Sequence, residues 1–172
     1  NEVIYHSGIA LLTVINDLLD LSRLEAGKIQ FQEDKIDIVR LMNQIFLTLS
    51  AQLKQKNLSH TLHCGDNLPK KIIIDSARVR QILFNLIGNA IKYTEKGGID
   101  VYINYREDKL IIDIHDTGRG IPGNKLKDLF EPYTQVKQDA SETRKGTGLG
   151  LHIAKTLVEL MEGTIEIKSE VE

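Results

Sequence analysis

A glycine-rich segment that opens directly into a helical pattern is the first part of the sequence that could do chemistry. It reads Gly146-Thr147-Gly148-Leu149-Gly150. The start of a helix presents backbone N–H groups and the positive end of the helix dipole, which together favour an anion. No Gly-Lys-Ser/Thr follows, as a Walker loop requires, and no parallel βαβ unit surrounds the segment, as a dinucleotide-binding turn requires. The segment therefore suits a phosphate group.

A second glycine-rich segment follows a strand-like run and reads Asp116-Thr117-Gly118-Arg119-Gly120. An acidic side chain at the end of a strand can be aimed at the N–H of a base, while glycines let a ligand approach the backbone. The same residues on their own are equally compatible with a tight loop. This segment therefore indicates a base-binding site only in combination with others.

Two amides and one ammonium form a third cluster. Asn85, Asn89 and Lys92 are spaced i, i+4 and i+7, so on a helix they fall within roughly 60° of one another. Every amphipathic helix has a polar side, and Asn is only a mildly poor helix former. Simple solvation therefore explains the cluster as well as a functional site does.

Apolar periodicity predicts the elements that position these clusters. The predicted helices are 76–94, one that follows Asp37, a short turn at 126–130, and 151–161; the predicted strands are 28–35, 58–63, 72–74, 99–105, 110–115 and 164–168. The two strands around Glu107-Asp108 should form an antiparallel hairpin. Strands and helices in mixed order, without steady βαβ alternation, favour an α+β fold: a two-layer α/β sandwich with helices on one face of a mixed sheet.

The first 26 residues carry a wide apolar stripe at helical spacing, which stops at Gly27. The stripe precedes any partner strand, which favours a helix in a bundle or a dimer; a plain N-terminal core helix is the alternative. We expect the chain to be a piece of a longer protein, because the pattern is already under way at its first residue.

Composition excludes several classes of protein. The 172 residues include 22 basic and 24 acidic side chains, a net charge of −2, so no strong field favours nucleic acid or an anionic membrane surface. The single cysteine, Cys64, rules out an internal disulfide and is typical of a reducing compartment. No apolar run approaches the roughly 18 residues that span a bilayer. We expect a cytoplasmic segment that does not span a membrane and does not bind nucleic acid.

Four segments, in this order, resemble the motifs of sensor histidine kinases of two-component systems. They are 81–94, similar to the N box; 116–121, similar to the G1 box; 130–133, Phe-Glu-Pro-Tyr, similar to the F box; and 146–151, similar to the G2 box. The first 26 residues also resemble the second helix of the family's dimerisation and phosphotransfer domain. The resemblance implies a partial dimerisation helix at 1–27 and an ATP-binding catalytic domain of the Bergerat fold at 28–172.

The resemblance also implies a site for ATP and Mg²⁺. Its residues would be Asn85, Asn89, Lys92, Tyr93, Asp116, Gly118, Gly120, Ile121, Gly146, Thr147, Gly148, Leu149 and Gly150. Asn89 would bind Mg²⁺, and Asn85 and Lys92 would face the phosphates. Tyr93 would pack near the base and Asp116 would accept from the adenine amino group. The glycines of the first glycine-rich segment would let a lid, 135–145, close on the phosphates.

Three residues depart from the family pattern. Arg119 stands where an aliphatic residue is usual, Gly146 is single where a pair is common, and Glu162 replaces a frequent glycine. None of the three departures removes a proposed ligand.

The resemblance implies transfer of the γ-phosphate of ATP to a histidine on an upstream helix. Implied partners are a second copy of the protein, through the N-terminal helix, and a response regulator or receiver domain. His6 lacks the acidic neighbour and the Thr-Pro of the phosphoacceptor motif, so no catalytic residue is identified in the chain itself. The alternatives are an ATPase of the same fold and a nucleotide-binding module without catalysis.

Overall fold

The computed structural model describes residues 30–134 and 147–171, together with 8, 11, 12, 15, 18, 19, 21, 22 and 24. Contacts divide the chain into two units. A smaller unit comprises Asn1–Gln30 with Gly123–Lys168, and a larger unit comprises Phe31–Pro122 with Ser169–Glu172. The predicted domain boundary after Gly27 stays a prediction, because 25–29 lie outside the described residues.

The larger unit is built from two helices and five strands. They are β1 (Asp34–Ile36), α1 (Ile38–Gln55), β2 (Ser59–Cys64), β3 (Ile72–Ile74), α2 (Ser76–Tyr93), β4 (Gly98–Arg106) and β5 (Lys109–Asp116). Strand β4 pairs in parallel with β2 and antiparallel with β5, while β1 and β3 form a separate antiparallel pair. Helix α2 contacts α1, β4 and β5. The predicted mixed sheet with packed helices is confirmed.

Both long helices begin at an aspartate whose carboxylate accepts a backbone N–H of the first turn. Asp37 Oδ1 lies 3.0 Å from Arg40 N at the start of α1. At the start of α2, Asp75 Oδ1 lies 2.9 Å from Arg78 N, and Asp75 Oδ2 lies 2.8 Å from Gln32 N. Asp75 is only 6% exposed, so it both begins α2 and holds the segment before β1.

The apolar faces of α1, α2 and β4 form the core of the larger unit. The buried side chains are Ile38, Leu41, Met42, Ile45, Phe46, Leu49 and Leu53 of α1, Val79, Ile82, Leu83, Ile87, Ala90 and Ile91 of α2, and Ile99, Val101 and Ile103 of β4. The apolar periodicity that predicted both helices thus marks their buried faces, and Leu86 of α2, which fits the same period, is half-buried. The opposite side of α2 is left for the polar cluster.

The predicted hairpin is confirmed. Glu107 and Asp108 have φ values of 50° and 58°, and Arg106 pairs with Lys109 across the turn. Two successive positive φ values match the twist of the flanking strands. The hairpin register places Asp116 at the far end of β5, opposite Ile99 of β4.

The smaller unit contains α3 (Gly123–Leu126) and α4 (Gly150–Leu160). Two residues after the end of α4, Glu162 has φ 60°. Glu162 N donates to Glu159 O, and Gly163 N donates to Val158 O. This is a Schellman ending, in which the left-handed position favours glycine. The frequent glycine of the family at Glu162 is therefore explained by backbone geometry.

The prediction of a strand at 164–168 is wrong, since 163–171 contain no strand. Alternating residues form a strand only where a neighbour completes the hydrogen-bond ladder. No strand among those described pairs with this segment.

The described residues near the start of the chain are helical. Leu21 and Leu24 are buried, whereas five apolar side chains are exposed by 42–61%: Leu11, Leu12, Ile15, Leu18 and Leu19. No helix in the described part of the chain is long and apolar enough to cross a membrane.

Candidate nucleotide-binding site

The polar cluster lies on α2 as predicted. Asn85, Asn89 and Lys92 are all half-buried on the side opposite the core stripe. Lys92 Nζ lies 4.7 Å from the centroid of the Tyr93 ring. The helix therefore presents two amides, an ammonium and an aromatic ring within its last three turns, a set that suits an anionic ligand carrying an aromatic group.

The segment 116–118 is tied to the chain that follows α2. Thr117 Oγ1 donates to Lys96 O at 2.8 Å and accepts from Gly98 N at 3.0 Å, and Thr117 N donates to Gly98 O at 3.2 Å. Gly97 has φ 96°, and a Cβ there would collide with the Thr117 side chain. These contacts fix the start of the second glycine-rich segment against residues 96–98, which follow α2.

Gly118 is where α2 and β5 come together. Its N–H donates to Asp116 Oδ1 at 2.9 Å, which orients the carboxylate. A Cβ at Gly118 would lie 2.5 Å from that oxygen, 3.0 Å from Tyr93 O and 3.3 Å from Thr94 Oγ1. A side chain at Gly118 would crowd all three atoms, so Asp116 and the end of α2 lie close together at this glycine.

The buried hydroxyl of Thr94 lacks a hydrogen-bond partner. Thr94 is 0% exposed, and among the described residues its Oγ1 is the buried side-chain oxygen left without one. An unpaired buried polar atom calls for an explanation, such as a water or a ligand that completes the site. This hydroxyl lies beside the backbone of Gly118, 3.3 Å from the position that a Cβ would take there.

An open cavity of about 530 Å³ lies beside these residues. It is lined by Glu95, Lys96, Gly97, Thr117, Gly118 and Arg119. The Arg119 guanidinium lies 5.5 Å from the centroid of the Tyr93 ring, so this departure from the family pattern places a cation over the ring predicted to pack near a base. The volume is in the range of small-molecule sites.

Gly120 and Ile121 hold the other end of the G1-like segment. Gly120 has φ 69°, and a Cβ there would collide with Glu170 O. Ile121 N donates to Ser169 Oγ at 2.9 Å. Both residues therefore anchor the segment on 169–170, and Gly120 is required by its backbone conformation.

The G2-like segment belongs to the smaller unit. Gly148 has φ 74°, and a Cβ there would lie 2.8 Å from the Tyr133 carbonyl carbon, so the segment packs closely on the F-box-like residues. Thr147 Oγ1 accepts from Leu149 N at 3.2 Å. Leu149 precedes α4 with an apolar side chain and provides no side-chain cap. Gly146, the predicted lid at 135–145 and His6 lie outside the described residues.

A half-buried histidine links α4 to the F-box-like segment. His152 Nδ1 lies 2.8 Å from Phe130 O, and Lys155 Nζ lies 5.4 Å from the centroid of the Phe130 ring. The first turn of α4 and 130–133 are therefore held together within the smaller unit.

Sequence reasoning assigned no role in this region to Lys56, Thr94 or Thr117, although Thr94 closes the segment similar to the N box. Thr117 was part of a recognised motif, but its bonds reach back to 96–98. Lys56 bonds to carbonyl groups 35 to 38 residues away. A lysine near the end of a predicted helix indicates an interaction with the carbonyl groups of that same helix. A single sequence does not reveal that it bonds to a different helix.

A family profile described as "Histidine kinase-, DNA gyrase B-, and HSP90-like ATPase" matches residues 74–172. These residues include all four motifs and most of the site described above. The chain belongs to this family of ATPases, and the predicted resemblance to sensor histidine kinases is confirmed.

The similar proteins of known function are sensor kinases. The chain is 35% identical over 175 residues to the autoinducer 2 sensor kinase/phosphatase LuxQ of Vibrio vulnificus, covering 98% of this chain and 20% of the relative. It is 34% identical to the aerobic respiration control sensor protein ArcB of Escherichia coli, covering 98% of this chain and 22% of the relative. The chain thus spans about a fifth of the length of these sensor kinases.

Solved structures share the fold. Full-length ShkA in complex with AMPPNP matches with a TM-score of 0.86 and 30% identity, covering 99% of this chain and 35% of that one. The catalytic domain of the histidine kinase ThkA matches with a TM-score of 0.64 and 25% identity, covering 76% of this chain and 84% of that one. The architecture is that of a histidine kinase catalytic domain, the Bergerat fold.

Proposed function

We propose that the chain binds ATP at α2 and 116–121 and transfers its γ-phosphate to a histidine on a helix of the longer protein. The main support is the joining of Asp116 to the end of α2 at Gly118, where only glycine leaves room. A carboxylate accepts from an amino group, so Asp116 selects adenine over guanine, which has a carbonyl at the corresponding position. Tyr93 packs against the base, and Lys92 faces the phosphates.

Mg²⁺ is proposed to bind Asn89. Its amide oxygen is a hard ligand of the kind Mg²⁺ takes in protein sites, alongside nucleotide phosphates and water. When bound, the ion would neutralise charge on the phosphates. The role of the protein is to present the amide from a helix whose other face is fixed in the core.

The direct test is titration of the chain with ATP, with and without Mg²⁺. We expect Asn89→Ala to remove most of the Mg²⁺ dependence, whereas Asn43→Ala, at an exposed position of α1, should leave it unchanged. If the parent chain binds ATP equally well with and without Mg²⁺, Asn89 is not a metal ligand. If the parent does not bind ATP at all, the proposed function is wrong.

The residue at position 85 distinguishes a kinase from an ATPase. The resemblance to hydrolysing relatives places a glutamate general base one helical turn before the magnesium asparagine, and here that position is Asn85. An amide does not take up a proton at physiological pH, so water attack on the γ-phosphate loses a contribution on the order of 10²- to 10⁴-fold. We therefore propose that the γ-phosphate of bound ATP reacts with an imidazole nucleophile and only very slowly with water.

Phosphate release by the purified chain distinguishes these readings. We expect stoichiometric ATP binding with negligible release, and gain of slow hydrolysis in Asn85→Glu. Steady hydrolysis by the parent that Asn89→Ala abolishes would favour the ATPase instead. A chain that binds ATP but cannot label a supplied acceptor domain would favour the module without catalysis.

The N-terminal helical residues are proposed to form a dimer interface in the full-length protein. The exposed apolar side chains there, such as Leu12 and Leu19, are of the kind that a helical bundle covers. Leu12→Glu should weaken self-association measured by sedimentation, whereas Ser22→Glu, at an exposed polar position, should not. A response regulator or receiver domain would then take the phosphate, in the cytoplasm.

A further inference from the structure

Lys56 lies at the junction between the end of α1 and the end of α2. Its Nζ lies 2.8 Å from the carbonyl oxygen of Ile91, 2.7 Å from that of Lys92 and 3.1 Å from that of Thr94. An ammonium has three N–H donors and no acceptor. Three carbonyl groups therefore use the whole donor capacity of this half-buried side chain.

These carbonyl groups need a partner from outside α2. The last four carbonyl groups of a helix have no N–H partner within the helix. A cation near them also offsets the negative end of the helix dipole. Helix α2 ends with Thr94 in an extended conformation, at φ −94° and ψ 125°. A left-handed glycine cap is thus replaced here by a lysine from another element.

The backbone on both sides of Lys56 is fixed. Asn57 has φ 53°, its N–H donates to Lys54 O, and Leu58 N donates to Leu53 O at 3.0 Å, which is a Schellman ending of α1. Leu53 and Leu58 are both buried. The Lys56 side chain therefore leaves a rigid turn.

The chain after α2 is held by the same turn. Ser59 N donates to Gly97 O at 3.0 Å, and Ser59 Oγ donates to the same oxygen at 3.2 Å. Gly98 lies so close to Ser59 that a Cβ would collide with it. Residues 56–59 thus hold both the last turn of α2 and the segment 96–98, to which Thr117 is hydrogen-bonded.

We infer that Lys56 is a positioning residue for the nucleotide site. It sets the direction of the last turn of α2, and hence where Asn89 and Lys92 present their polar groups. The inference rests on the proposed function, because it assumes that these groups hold the phosphates and Mg²⁺. The Asp116 carboxylate is carried by β5 and oriented by Gly118 N, so a displaced α2 should affect the phosphate contacts more than the contact of Asp116 with the base.

The experiment is nucleotide titration of the parent, Lys56→Met and Lys54→Met at a temperature where each chain is fully folded. Lys56→Met keeps the apolar stem and removes the three donors, and Lys54→Met removes a charge from an exposed position of the same helix end. Loss of charge-assisted hydrogen bonds that act through α2 should weaken MgATP binding about 3- to 10-fold. Lys54→Met should match the parent.

Adenosine, used as a competitor, separates positioning from loss of folded protein. A smaller folded fraction would weaken adenosine and MgATP equally, whereas misplaced Asn89 and Lys92 should weaken MgATP more. Lys56→Arg, which keeps the charge and N–H donors, should recover part of the affinity, and it remains informative if Lys56→Met does not fold. Amide hydrogen exchange of residues 91–94 should be faster in each weakened variant.

Two results separate the inference from the proposed function. If the parent binds MgATP and Lys56→Met binds it with the same affinity, Lys56 does not position the site, although the chain still binds nucleotide. An equal loss for adenosine and MgATP would likewise overturn the inference. If the parent itself fails to bind MgATP, the proposed function is wrong.

Discussion

Replacing Gly118 with alanine tests whether the end of α2 and Asp116 form one site. The φ of Gly118 is not in the left-handed region, so alanine meets no backbone strain there, but its Cβ would lie 2.5 Å from Asp116 Oδ1 and 3.0 Å from Tyr93 O. The carboxylate must move by about 1 Å to restore ordinary contact, and it then loses the 2.9 Å bond from Gly118 N.

The cost to binding follows from that displaced carboxylate. A hydrogen bond to a charged group contributes about 1.5 to 3 kcal/mol, which corresponds to a loss of about 10- to 150-fold in ATP affinity if Asp116 no longer reaches the base. Calorimetric titration with a non-hydrolysable ATP analogue measures this loss, with thermal unfolding as a check on folding. Gly123→Ala is the matched control, because no atom lies within 4 Å of a Cβ built there. A folded Gly118→Ala chain that binds within about twofold of the parent would refute the reasoning.

Three further changes test other parts of the structure. Asp75→Ala should lower the free energy of unfolding by about 2 to 4 kcal/mol, because it removes a cap and a second buried hydrogen bond, whereas Asp37→Ala should cost about 1 kcal/mol; equal effects in urea unfolding would contradict this. Glu162→Gly should raise stability by about 1 kcal/mol by relieving a left-handed position, and no rise in melting temperature would argue against strain there. Asp116→Asn should reduce the preference for ATP over GTP in competition binding, and an unchanged preference would mean that another group reads the base.

Local signals in the sequence were sufficient for α1, α2, α4 and the hairpin, whereas the short helix predicted at 126–130 lies at Gly123–Leu126. Asp37 and Asp75 precede apolar stripes of helical period, and the capping bonds that they make are contacts over three residues. The β4–β5 hairpin followed from alternation on either side of a two-residue polar turn. The line of Asn85, Asn89 and Lys92 also followed from helical spacing alone.

Contacts over long distances in sequence could not be predicted. The three bonds of Lys56 and the pairing of β1 with β3 join residues tens of positions apart, and no periodicity encodes such partners. The segment 164–168 alternates like a strand, but alternation does not say whether a neighbouring strand exists. The roles of Asn89, Asp116 and the glycines were predicted from the resemblance to a family. The residue types alone did not indicate them, because asparagine, aspartate and glycine are common on solvated surfaces.

The β4–β5 turn offers a place to insert foreign sequence. Glu107 and Asp108 are exposed, and seven residue steps along β5 separate Lys109 from Asp116, about 24 Å at the rise of an antiparallel strand. Exposed turns of this kind tolerate insertions well. A fluorescent label or a small reporter domain joined here would report on the chain from the opposite end of the hairpin, without displacing the Asp116 carboxylate that we propose binds the base.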